Sequence, residues 1–193
     1  MPDGVRKKLR RIPYAGLFYR QLLKIHRKIR YFKNLRRGTP IIVYQMGKVG
    51  SVSIRDSLES YGVEPVFHVH KMNPNSIQRI RENDLAMNRT PSDWWLSEIL
   101  FADIIRKGKR AQFITLVREP ISRSISTFFQ NFGRFTGAEY DDADLAIQEL
   151  VNTFIDKYRH PVPLTWFDVE IKQTLGIDVF EYPFPKEKGI LSI

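Results

Sequence analysis

The chain has 193 residues, of which 42% are hydrophobic, 12% aromatic and 27% charged, and its formal charge is +10. That length suits one domain with an appendage, and the composition excludes a disordered or collagen-like chain. There is no cysteine, so a disulfide framework, a thiolate nucleophile and Cys-ligated zinc or iron–sulfur centres are excluded as well.

The charge is concentrated at the front. Residues 1–38 hold 13 of the 31 Lys and Arg and one acid, Asp3, a balance of +12, which leaves 18 bases against 20 acids in the rest. In this leader Tyr14, Phe18, Leu22, Ile25, Ile29 and Phe32 recur at spacings of 4, 4, 3, 4 and 3. The spacing predicts a basic amphipathic helix, with Arg20, Lys24, Lys28 and Arg30 elsewhere around it. Such a helix, within residues 5–37, suits an anionic membrane surface, a protein partner or its own domain. No zinc-finger or RNP-like motif points to nucleic acid. Arginines interrupt every apolar stretch of the leader, so neither a cleaved signal nor a membrane anchor is expected, and the chain reads as cytoplasmic and at most peripheral to a membrane.

Gly38-Thr39-Pro40 is a turn signal that closes the leader, and a single domain is expected over residues 39–193. Ile41 to Gln45 reads as a short buried strand, followed by a glycine-bearing turn and a helix from about Ser51 to Tyr61. Val63 to His70 is a second strand, and a helix from about Ser92 to Lys107 presents Trp95, Ile99 and Ile104 to a core. Ala111 to Val117 is a third strand, and Pro120 stands where a first helical position is expected, opening a helix toward Phe132. Helices over about 141–158 and 164–175 and a short strand near Val179 to Tyr182 complete the pattern. The alternation predicts a three-layer α/β fold with a mainly parallel sheet, in which ligands gather at the carboxyl ends of strands.

Three groups of polar residues fall at those ends. In Gly47-Lys48-Val49-Gly50-Ser51-Val52-Ser53 the glycines permit close backbone approach, and the first amides of the following helix suit an oxyanion. This P-loop-like turn is not a Walker A loop, because Lys48 precedes the second glycine and Val49 follows it where a magnesium-binding hydroxyl would stand. Arg118 ends the third strand, and Ser126 follows about two helical turns later, so an arginine fork, a hydroxyl and a helix N-terminus form a second candidate anion site. His68 and His70 share one face of the second strand. A pair of histidines invites a metal, but no third ligand is evident nearby. Asp56, three residues after Ser53, reads as part of a capping-box-like helix start. Trp94 and Trp95 suit core packing better than stacking on a ligand.

Lys48-Val49-Gly50-Ser51 resembles the 5′-phosphosulfate loop of sulfotransferases, K-x-G-[ST]. Arg118 and Ser126, eight apart with Pro120 between them, resemble the 3′-phosphate motif of the same superfamily. Trp166-Phe167-Asp168 and the stretch from Gly176-Ile177-Asp178-Val179 to Lys188-Gly189 are similar to its capsular polysaccharide synthesis branch. The resemblance spans Ile41 to Gly189. It implies a sulfotransferase-like fold and transfer of a sulfuryl group from 3′-phosphoadenosine 5′-phosphosulfate (PAPS) to a carbohydrate hydroxyl, without a metal. Lys48 would then stabilise charge on the bridging oxygen, while Val49, Gly50, Ser51, Val52 and Ser53 would surround the 5′-phosphate. Arg118 and Ser126 would hold the 3′-phosphate, and His70, or else His68, would take the acceptor proton. The chain stops at Ile193 where family members continue, so the domain is expected to be short at its C-terminus. An inactive or regulatory nucleotide-binding relative and a kinase-like P-loop enzyme are the alternatives.

Overall fold

The computed structural model describes residues 25–26, 28–29, 31–35, 38–88, 94–138, 146–158, 160–183 and 187. Its centre is a three-stranded, wholly parallel sheet in the order β2-β1-β3, formed by β1 (Ile41–Tyr44), β2 (Val66–Val69) and β3 (Gln112–Ile114). β1 lies between its partners, with Val43 opposite His68 on one side and Ile114 on the other. A central parallel strand is covered on both faces, and Ile42, Val43 and Tyr44 are accordingly fully buried. The chain leaves β1 for β2 on one side and returns to β3 on the other. The carboxyl end of β1 is therefore the switch point at which open α/β sheets form a crevice.

Helix α1 (Ser51–Ser60) links β1 to β2. It stops because Gly62 takes the left-handed conformation, with φ 73, and because the amides of Gly62 and Val63 return to the carbonyls of Glu59 and Leu58. A Cβ would penalise that conformation, and the two bonds satisfy carbonyls that the helix end leaves open. After β2 come α2 (Pro74–Ala86) and α3 (Trp95–Leu100), the latter continuing as a wider π-type turn over Phe101–Ile105. Helix α4 (Pro120–Gln130) follows β3, then α5 (Phe132–Thr136), α6 (Ile147–Lys157) and α7 (Pro161–Trp166). The last runs through a π-type segment, Phe167–Lys172, into Gln173–Leu175.

One sheet face, bearing Ile42, Tyr44, Phe67 and Val69, packs on Leu100, Ile104, Trp166, Phe167 and Ile171 to form the main core. Side chains alternate along a strand, so Val43 and His68 point to the opposite face, on the side of α1. A smaller aromatic cluster joins Phe128 of α4 and Phe132 of α5 to Tyr158 after α6.

The α/β class and the parallel sheet match the expectation, and the first three predicted strands are present, each shorter than expected. The fourth is not a strand: Val179–Glu181 is a 3₁₀ turn, started by the Asp178 carboxylate accepting from the Phe180 amide at 3.0 Å. Helix α2 was not anticipated, although Pro74 sits at its first turn and the Asn73 side chain accepts from the Asn75 and Ser76 amides. The helix after β3 breaks at Asn131 rather than reaching Phe132 unbroken. The expected stretches Ser92–Asp93, Asp141–Leu145 and Lys188–Gly189 lie outside the described residues.

Of the three settings open to the leader helix, its described C-terminal turn packs on the domain itself. Positions 31–35 are helical, and Tyr31, which is off the apolar stripe, is the residue that enters the core, 5.0 Å from the Phe67 ring and edge-on to Trp95. Leu35 packs beside it. The stripe residues Ile25, Ile29 and Phe32 are 55%, 62% and 47% exposed; Tyr14, Phe18 and Leu22 lie outside the described residues.

Candidate functional site

The turn after β1 has an unusual backbone for its sequence. Lys48 is left-handed at φ 70 and Gly50 at φ 94; for a lysine that conformation costs about 1–2 kcal/mol, so the turn needs outside support. Two arginines from the neighbouring β3–α4 segment supply it. Arg118 Nη1 donates to the Lys48 carbonyl at 3.0 Å, and Arg123 Nε donates to the Gly47 carbonyl at 3.1 Å. Arg123 is buried and also donates from Nη1 to the Tyr158 hydroxyl at 3.1 Å, which ties the turn to the smaller aromatic cluster.

Gly50 is the N-cap of α1 and offers no side chain, so among the described residues the first amides of the helix, at Ser51, Val52 and Ser53, have no side-chain cap. Ser51 is buried, Val52 and Ser53 are exposed, and Val49 packs against the core. The capping-box reading of Ser53 and Asp56 is not met, because the helix starts at Ser51 and Asp56 instead pairs with Arg55 at 2.6 Å.

The N-terminus of α4 differs, and this corrects the expected second anion site. The Glu119 carboxylate accepts from the Ile121 and Ser122 amides at 2.8 and 2.6 Å, and those bonds hold its acid below the usual carboxylate range. Its negative charge covers the end of the helix that was expected to help bind a phosphate. What this segment offers an anion is therefore side chains, the exposed guanidinium of Arg118 and the half-buried hydroxyl of Ser126. Among the described residues no hydrogen bond joins those two.

His68 and His70 are half-buried, with ring centroids 4.6 Å apart and planes perpendicular. Burial first, then the charges of His70 and Arg55, push His68 down to about 4, against an opposing effect of Asp56. His70 Nδ1 is 2.9 Å from the Gln45 carbonyl. A carbonyl only accepts, so in the neutral ring Nδ1 carries the hydrogen and Nε2 keeps a lone pair. The His70 carbonyl in turn accepts from Trp166 Nε1 at 3.1 Å.

β2 is an edge strand, and a cleft of about 720 Å³ runs along its free side, lined by His68, His70, Arg55, Trp94, Trp95 and Tyr31 among others. Trp95 packs against the core as expected, yet both tryptophans also face the cleft. No residue of the 46–53 turn lines it. A hydrogen bond from His70 Nδ1 to the Gln45 carbonyl, one residue before Met46, connects cleft and turn.

Glu170, Arg123 and Glu119 were not singled out as site residues from sequence. Glu170 is fully buried, and its Oε2 accepts from the Tyr44 hydroxyl at 2.7 Å and from the Met72 and Asn73 amides at 2.9 and 3.0 Å. It fastens the end of β1 and the turn after His70 to one point. Arg123 carries a weak local signal as the one cation among the serines of an amphipathic helix, and Glu119 directly before Pro120 is a recognisable helix-start pattern. Glu170 carried none. Among the described residues no group of three or more His, Cys, Asp or Glu is placed to hold a metal ion, and no helix is long and apolar enough to cross a membrane.

No family model matches the chain, and neither a curated protein nor a solved structure matches it.

Proposed function

We propose that the chain is a PAPS-dependent sulfotransferase acting on a carbohydrate hydroxyl, at the cytoplasmic side of a membrane. The observation that carries this is the Arg118 to Lys48 hydrogen bond: it brings the two short phosphate-like motifs, 70 residues apart in sequence, side by side at the carboxyl ends of adjacent parallel strands. The donor supplies an activated sulfuryl group linked through oxygen to its 5′-phosphate. Lys48 would neutralise charge on that oxygen as its bond to sulfur breaks, and the open amides of Ser51 to Ser53 would hold the 5′-phosphate. Arg118 spends one N–H on Lys48 and has four more donors, which with Ser126 would hold the 3′-phosphate. His70 Nε2 would accept the acceptor's hydroxyl proton while the new oxygen–sulfur bond forms, with His68 as the other candidate base. The cleft along β2, with Trp94 and Trp95 in its wall, is the volume available to a sugar.

A thermal-shift comparison tests the reading. At a hundredfold excess over Kd, 3′,5′-adenosine bisphosphate should raise the melting temperature by roughly 5–10 °C, Arg118→Ala should remove most of that rise, and Lys48→Ala should keep it while losing transfer from PAPS. Stabilisation by ATP with magnesium and none by the bisphosphate would point to a kinase-like enzyme instead. Binding with no transfer to any glycan would point to a non-catalytic relative.

A further inference from the structure

The leader helix is seated by one side and unpartnered on another. Tyr31 and Leu35 face the core, whereas Ile25, Ile29 and Phe32 are 55%, 62% and 47% exposed. At about 100° per residue, Ile25, Ile29 and Phe32 fall within roughly 60° of each other and lie roughly 100° around the helix from the buried edge. The domain has thus taken its grip on the leader without covering Ile25, Ile29 or Phe32.

The charges beside the stripe say what would cover it. Lys28 and Lys33, both exposed, border it on its two sides, and no Asp or Glu occurs anywhere from residue 4 to residue 55. A second copy of the helix would bring the same cations face to face, which disfavours self-pairing. A polyanion alone would satisfy the lysines and leave three large apolar side chains in water. An anionic bilayer satisfies both features, because acyl chains receive Ile25, Ile29 and Phe32 while the flanking ammonium groups reach up to phosphate headgroups. We propose that this face of the leader helix docks on the surface of an anionic lipid bilayer, lying in the interface rather than crossing it. The proposal does not depend on the chemistry at Lys48 and Arg118.

Vesicle flotation of the full chain tests it. The wild type should float with vesicles of equal parts phosphatidylglycerol and phosphatidylcholine, weakly with phosphatidylcholine alone, and less as salt is raised. The triple variant Ile25→Glu/Ile29→Glu/Phe32→Glu should lose roughly a hundredfold or more in binding with its melting temperature little changed, since Ile25 and Ile29 are exposed and Phe32 gives up only an edge contact with the Tyr31 ring. Should that variant misfold, the charge reversal Lys28→Glu/Lys33→Glu should abolish the preference for phosphatidylglycerol. Equal binding by wild type and triple variant would overturn the proposal and leave a site for polyanions such as RNA. So would the absence of any vesicle binding, or light scattering that shows a wild-type dimer broken by the triple variant, which would make the stripe a contact between copies.

Discussion

His68 combines a half-buried ring with Arg55 and His70 as close neighbours, and its proton affinity should be readable in the stability of the whole chain. In the unfolded chain it titrates near its ordinary 6.5, and in the folded chain burial, His70 and Arg55 hold it down to about 4. Below the ordinary value the unfolded form takes up a proton that the folded form refuses, so the stability tied to this ring is complete above pH 6.5 and is lost as pH falls toward 4. Linkage puts the loss on the order of 2 kcal/mol across that window, after discounting for a partly solvated site. Urea unfolding at about pH 7 and about pH 4.5 should therefore show the wild type losing more stability on acidification than His68→Phe; parallel losses would remove the ring from the account. At this scale the residues most legible in the sequence were those whose chemistry is local. Lys48 between two glycines and Arg118 at the end of an apolar run announce themselves, and the structure puts them in contact. Glu119 is less legible: Pro120 marks the first helical turn, but only the fold shows that the carboxylate before it occupies the helix end.

Among the elements, the segment from Phe167 to Leu175 owes its position to Glu170. Three donors converge on one carboxylate oxygen, and the Lys71 ammonium lies 3.4 Å from the other. Burial, followed by the charge of Glu170, raises the Tyr44 phenol far above its ordinary value and keeps it a donor. Glu170→Ala would leave the Met72 and Asn73 amides buried without an acceptor, while the Tyr44 hydroxyl keeps the backbone carbonyl of residue 170 at 2.8 Å, and should cost about 3–5 kcal/mol. Glu170→Gln, which still presents one oxygen to those donors, should cost clearly less, and denaturant unfolding of the two variants would show whether the order holds. No periodicity in the sequence exposes this carboxylate, because its partners at Tyr44, Met72 and Asn73 are about a hundred residues away along the chain. Elements with strong local punctuation were readable: β1 from its β-branched run, α1 from the glycine loop before it and α4 from Pro120. Helix α2 escaped because it buries only Ser76 and Ile77, too few apolar contacts to make a period stand out. The stretch at Val179 has strand-forming residues, but among the described residues no strand pairs with it, and propensity does not supply a partner.

At the scale of the molecule, the sheet is small and much of the core comes from helices laid against one of its faces, with the leader among them. Tyr31 is 2% exposed between Phe67 and Trp95, and its phenol is raised by burial and then by the Asp103 carboxylate. Tyr31→Ala should therefore destabilise the chain by about 3–5 kcal/mol, measured by chemical denaturation, whereas a leader merely tethered to the domain would show no change. Charge counting alone separated the leader from the neutral remainder, and it could not foresee that Tyr31, rather than the periodic stripe, would be the anchoring side chain. Tyr31 and Asn34 also stand in the wall of the cleft beside β2. The span of that cleft is thus set partly by a segment joined to the sheet through the short Gly38-Thr39-Pro40 connection, like a jaw whose hinge lies outside the frame. Whatever tilts the leader would change the width of the gap facing His68 and His70 while leaving every strand in register.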